Sequence, residues 1–208
     1  MSLTVTAKGG PSIPILEAGT YPAVCYGLID IGLQYNEMYK SASNKVIIIW
    51  EIPGETITID GEEKPRVMSQ TYTASLSERA ALRRDLELWR GRKFTDEELA
   101  GFDLKSIVGA PCLLTVVHRE SGGKTYANIG AVAKLAKGLQ RPQGSIEPIV
   151  FNLDTDPLEK MELMPEWIQE RIKRSVTYQD RLAGVGHGDE GSYEEPELVE
   201  LDESDLPF

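Results

Sequence analysis

The stretch that most constrains the fold is residues 45–53, KVIIIWEIP. Crowded β-branched and aromatic side chains favour a strand there, and their apolar surface demands burial. Residues 56–59 continue the run beyond Pro53 and Gly54, and Asp60 with Gly61 offers the backbone conformations of a tight hairpin turn. A return strand is expected to begin near Arg66 and run through residues 68–74. Directly after it the apolar period changes from two to about 3.6. Leu82, Leu86 and Trp89 form one stripe of a helix, with Arg79, Arg83, Arg84 and Arg90 mostly off it. Ser75 and Glu78 have capping-box spacing, and Gly91 is a natural helix stop.

Residues 19–32, GTYPAVCYGLIDIG, read as an earlier strand bounded by glycines, with Pro22 near its start, where a missing N–H is tolerated. The polar residues 33–44, LQYNEMYKSASN, read as a loop holding Tyr35, Tyr39 and Lys40. Thr95 and Glu98 predict a second capping box opening a short helical turn. Residues 112–118, CLLTVVH, and 126–135, YANIGAVAKL, read as the last two strands, joined by the Ser-Gly-Gly loop of residues 119–125. Residues 140–156 are mostly irregular. A second main helix is expected over residues 165–175, with Met164, Trp167, Ile168 and Ile172 on one face and Pro165 at its first position. Residues 1–18 read as a loose N-terminal arm, 19–182 as one domain with a helical extension, and 183–208 as a disordered acidic tail opened by Gly184, Gly186 and Gly188.

Three strands, a helix, then two strands is the order of the oligonucleotide/oligosaccharide-binding (OB) barrel. The expected fold is mainly β: a five-stranded OB-type Greek-key barrel with a helix between strands 3 and 4, a C-terminal helix and the acidic tail. Ligands of this barrel lie across strands 2 and 3, between the loop joining strands 1 and 2 and the loop joining strands 4 and 5. The first loop offers Tyr35, Tyr39 and Lys40; the second offers Arg119 and Lys124, with Tyr126 at its edge. Lys45, Arg66, Trp50 and Tyr72 complete the candidate set, although Trp50 alternates with Val46, Ile48 and Ile52 on an apolar face, and Tyr72 shares a mixed face with Gln70 and Ala74. Aromatic faces stack on bases and cations track phosphates, the combination that sequence-tolerant single-strand binding needs.

The net charge of −11 argues against a nucleic-acid binder only until it is divided along the chain. Residues 183–208 hold nine of the 33 acidic side chains and none of the 22 basic ones, so the body is nearly neutral and can carry a local basic groove. No apolar run approaches the roughly 20 residues of a membrane-spanning helix, and the N-terminus lacks a signal-peptide pattern, so a cytoplasmic protein without membrane partners is expected. Cys25 and Cys112 each sit in an apolar run and read as buried thiols. No Ser/His/Asp order, Gly-rich phosphate loop, HExxH or zinc-like Cys/His spacing is present, which points away from an enzyme, a cofactor or a metal site. His118 beside Glu120 reads as structural.

The closing residues LDESDLPF resemble the C-terminal tip of single-stranded DNA-binding proteins from bacteria and their phages. The body segments AGTYPAVCYGLIDIG, WRGRKFTDEELAGFDL and GKTYANIGAVAKL resemble the small single-stranded DNA-binding proteins of tailed phages. The resemblance implies sequence-tolerant binding and protection of single-stranded DNA in phage replication or recombination. It also implies recruitment of replication or recombination proteins through Asp202, Glu203, Asp205, Leu206, Pro207 and Phe208, tethered by residues 184–200. A homo-oligomer, a dimer before a tetramer, would fit. Two other readings are a protein-interaction or virion-structural barrel with a nucleic-acid-mimicking tail, and a strand-annealing recombination protein.

Overall fold

A computed structural model describes residues 14–38, 40–59 and 61–184. Its strands are β1 (Gly19–Asn36), β2 (Ser41–Ile59), β3 (Glu62–Thr73), β4 (Pro111–Ser121), β5 (Lys124–Ala133) and β6 (Ile149–Phe151). The helices are α1 (Ala81–Arg90), α2 (Asp96–Ala100), α3 (Glu166–Lys173) and α4 (Val176–Leu182), with 3-10 turns at Leu104–Ile107 and Leu158–Leu163. The sheet runs β3-β2-β1-β4-β5, antiparallel at each step, and β3 comes back alongside β5. The result is a nearly closed five-stranded barrel of OB type. α1 follows β3 in sequence and packs on both β3 and β5, where the barrel closes.

β1 holds the barrel together by serving two partners in turn. Residues 19–24 pair with β4, and residues 24–36 pair with β2. Two register shifts, at Cys25/Gly27 and Asp30/Leu33, bend the strand between these tasks. Gly32 sits in the second shift at φ 70°, where a Cβ would lie 2.7 Å from Leu153. Beyond the β4 pairing, the vacated edge of β1 accepts β6 in parallel, with Gly27, Leu28 and Ile29 opposite Ile149, Val150 and Phe151.

The run at residues 46–52 is apolar without alternation because both of its faces are buried. Val46, Ile48, Trp50 and Ile52 point into the barrel with Leu28, Cys112, Leu114, Val116 and Val132, beneath Leu82, Leu86 and Trp89 of α1. Ile47 and Ile49 point outward with Ile29 and Ile31 of β1, into a second core formed by Phe151, Leu153, Met161, Met164, Ile168 and Ile172. Burying each such side chain contributes roughly 1.5–3 kcal/mol, so β2 is anchored from both sides.

Several expectations are corrected by this architecture. β1 and β2 extend as a paired ribbon through Asn36 and Ser41, so the loop expected over residues 33–44 shrinks to the few residues between them. β3 starts at Glu62 rather than near Arg66. Ser75 does not cap α1: its Oγ accepts from the Ser77 N–H in a local turn, and α1 begins after Ala80. The helix expected over residues 165–175 is two helices, α3 and α4, with Pro165 as N-cap of the first and Ser175 capping the second through the Tyr178 N–H. Residues 140–156 are mostly irregular, as expected, apart from the three residues of β6. The arm of residues 1–18 is docked at its inner end, because Leu16 is buried in the barrel core and its carbonyl meets His118 Nε2 at 2.8 Å; residues 1–13 lie outside the described residues.

Local signals fared better. Thr95 and Glu98 form the full capping box, and Gly91 ends α1 in the left-handed conformation. Glu98 also receives Arg90 and Arg92. Trp89 Nε1 donates to the Pro111 carbonyl at 2.8 Å, tying α1 to the start of β4.

Candidate nucleic-acid interface

Alternation along the strands sorts the candidate side chains. Trp50 points inward, is 0% exposed, and packs 5.8 Å from Trp89 between ring centroids. Tyr72 also points inward, is 3% exposed, and donates its hydroxyl to Asp85 Oδ2 at 3.0 Å. Burial, with the Asp85 charge beside it, pushes the Tyr72 phenol far up, so it stays a donor. Neither ring can stack on a ligand, and both are removed from the expected site. Arg66 pairs with Ile52 and alternates with Met68 and Gln70, so it shares the inward series and is half-buried near the end of the barrel.

The outward side of β2, where a ligand of this barrel would be expected, is largely covered. Besides Ile47 and Ile49, it carries Glu51, fully buried under the segment before β6. Ser145 donates its N–H at 2.9 Å and its hydroxyl at 2.9 Å to Glu51 Oε1, and the Ile146 N–H donates at 3.0 Å to Oε2. Charge-assisted bonds of this kind hold a buried carboxylate without a cation. A Cβ at position 144 would stand 2.8 Å from Glu51 Oε2, so a side chain there would have to displace the carboxylate from its donors.

What stays open is the outward row of β3: Val67, Ser69, Thr71 and Thr73, all exposed. Lys45, opposite Thr73 in register, donates from Nζ to Thr73 Oγ1 at 2.8 Å. From the other side, Arg171 of α3 donates from Nη1 to Thr71 Oγ1 at 2.7 Å. The open strip is therefore lined with hydroxyls and carries a cation at each of two neighbouring threonines.

The two hairpins place the remaining candidates. On β4 and β5, Arg119 lies directly opposite Tyr126, and Lys124 opposite Ser121 shares their face. Tyr126 is 47% exposed, and Arg119 and Lys124 are exposed. On β1 and β2, Tyr35 is 58% exposed but pairs with Ala42, on the opposite side of the ribbon from Lys45. Lys40 is exposed in the turn with φ 48°, and Tyr39 lies outside the described residues. The structure thus groups Arg119, Lys124 and Tyr126 on one ribbon face and Lys45 with the β3 row, while Tyr35 and Arg66 belong to neither group.

Charge pairing distinguishes these cations from the arginines of α1. Among the described residues, Lys40, Lys45, Arg66, Arg119 and Lys124 take part in no salt bridge. Arg83 and Arg84 of α1 are matched by Glu87 and Asp85. Cys25 and Cys112 are buried free thiols; burial pushes Cys25 up to about 12 and Cys112 higher still, which leaves both neutral. A cavity of about 320 Å³ is lined by Asn44, Val46 and Phe151, with Asp30, Asp103, Lys105 and Asp154 in its wall.

Trp167 and Arg171 were missed by sequence reasoning. Trp167 was expected on the buried face of its helix, yet it is 43% exposed. The buried stripe is Met164, Ile168 and Ile172, each four residues from the next, and that spacing alone would have set Trp167 apart. Asp202, Glu203, Asp205, Leu206, Pro207 and Phe208 lie outside the described residues. No helix among the described residues is long and apolar enough to cross a membrane. No protein-family model matches this chain, and no curated protein matches its sequence.

Proposed function

We propose that the protein binds single-stranded DNA with little sequence preference, coating and protecting it during phage replication or recombination in the host cytoplasm. The observation that carries this reading is the face shared by Arg119, Lys124 and Tyr126: an exposed aromatic directly opposite an arginine, beside a lysine, with neither cation held by a carboxylate among the described residues. Stacking on such a ring supports about 1–3 kcal/mol per base whatever the base, and unpaired cations bind phosphate by releasing its counterions. Lys45 and the hydroxyl row of β3 offer a second polar strip on the barrel wall. The acidic segment of residues 189–208 then recruits replication or recombination proteins, with Leu206 and Phe208 as apolar anchors amid the carboxylates.

The test is binding to single-stranded and duplex DNA of one sequence across a salt series. Preferential single-strand binding that weakens steeply with salt is expected; equal affinity for duplex, or none for either, would overturn the reading. A second reading, a protein-interaction barrel with a nucleic-acid-mimicking tail, is favoured by the covering of β2 on its outward side. It predicts no binding of oligo-dT even at low salt.

A further inference from the structure

The outward positions of β2 and β3 carry no aromatic residue among the described residues: Ile47, Ile49 and Glu51 on one strand, Val67, Ser69, Thr71 and Thr73 on the other. A barrel wall of this composition can hydrogen-bond a strand of nucleic acid but has no π-face for a base. The missing face stands immediately beside it, on α3. Arg171 bridges the two elements, donating to Thr71 on β3 while its guanidinium carbon lies 5.6 Å from the centroid of the Trp167 ring one turn earlier. The ring is 43% exposed although the helix has an apolar core to join, and Ile168 and Ile172 beside it are fully buried. Glu170, three residues on from Trp167, is matched by Arg174 at 3.5 Å.

We infer that Trp167 is a base-stacking platform, positioned by Arg171, and that the C-terminal extension which covers β2 thereby completes the single-strand path along β3. Arg171 fixes the ring at the edge of the wall and adds a cation to the path at Thr71, as Lys45 does at Thr73. A single strand laid along this row meets hydroxyl groups, two cations and one aromatic face. Duplex DNA, whose bases are already stacked on one another, cannot use that face. The inference rests on the proposed single-strand binding and adds a residue that the barrel alone would not supply.

The experiment exploits the protein's three tryptophans. Trp50 and Trp89 are buried, so quenching of intrinsic fluorescence by a stacked base must come from Trp167. The full chain, Trp167→Phe and Trp167→Ala are titrated with dye-labelled oligo-dT, reading anisotropy for affinity and tryptophan emission for stacking; thermal melts check that the variants are folded. Quenching on binding is expected in the full chain. Trp167→Phe should keep most of the affinity and lose the quench, and Trp167→Ala should bind roughly 5- to 150-fold more weakly, the range for one stacked base. If the full chain binds but Trp167→Ala binds equally well, or if binding leaves the emission unchanged, the platform is refuted while single-strand binding stands. If the full chain does not bind oligo-dT at low salt, both readings fall.

Discussion

Replacing Tyr72 with phenylalanine separates a core role from a ligand role, because the ring survives and only the hydroxyl is lost. That hydroxyl is buried and donates to Asp85 Oδ2 at 3.0 Å. Asp85 keeps Arg84 on its other oxygen, at 3.0 Å, so Tyr72→Phe strands one oxygen of a nearly buried carboxylate rather than the whole group. A hydrogen bond to a charged partner contributes about 1.5–3 kcal/mol. For a domain of this size each kcal/mol lowers Tm by about 2–4 °C, so a fall of roughly 3–12 °C is expected. The assay is thermal and urea denaturation of Tyr72→Phe, Asp85→Asn and the double variant, where a coupling of at least about 0.5 kcal/mol should appear. Oligo-dT affinity should be unchanged in Tyr72→Phe. An unaltered Tm, or a loss of affinity at full stability, would refute the placement of Tyr72 in the core.

Three further perturbations reach other parts of the molecule. Arg119→Ala with Lys124→Ala should weaken single-strand binding and, if each contacts one phosphate, lower the slope of log affinity against log salt by about 1.4; an unchanged slope would take both out of the path. Glu51→Ala leaves the Ser145 and Ile146 N–H groups without their carboxylate and should cost about 3 kcal/mol in urea denaturation, with faster hydrogen exchange at both amides, whereas a cost below about 0.5 kcal/mol would show that residues 144–146 are held by other contacts. Glu98 is held down to about 2, first by Arg92 and then by the Thr95 N–H and Arg90, against an ordinary value of 4.5. Its unfolded form therefore takes up a proton first, so its contribution is complete above about pH 4.5 and is lost as pH falls toward 2. The stability gap between the wild type and Glu98→Gln should shrink over that interval, and a gap independent of pH would contradict the linkage.

The sequence made local features plain wherever their causes are local. The Thr95 and Glu98 box, the Gly91 stop and the shift from period two to 3.6 after β3 each depend on neighbours a few residues away, and each is present. Ser75 and Glu78 had the same spacing as a box and failed, because the Ser75 hydroxyl is taken by the Ser77 N–H. The polar residues 33–36 read as loop because they lie where the β1–β2 ribbon leaves the apolar core; ladder pairing with residues 41–44, not burial, makes them a strand. Trp50 was assignable from its alternation with Val46, Ile48 and Ile52. The outward burial of Ile47 and Ile49 was not, since it depends on residues 151–172 folding back onto β2. The same long-range contact decides which candidate faces are open, which is why the fold was more legible than the site.

The parallel pairing of β6 with β1 joins segments more than a hundred residues apart, and it has a consequence for synthesis. A chain that has emerged only through β5 possesses every strand of the barrel. Yet residues 27–29 still present an unpaired strand edge, flanked by the uncovered side chains of Ile29, Ile31, Ile47 and Ile49. An open edge beside apolar surface is a template for pairing with another nascent chain. The barrel is protected from self-association only once the described residues after β5, 134–184, leave the ribosome, so slow translation or premature termination in that interval should send the protein into aggregates rather than leave a soluble, shortened barrel.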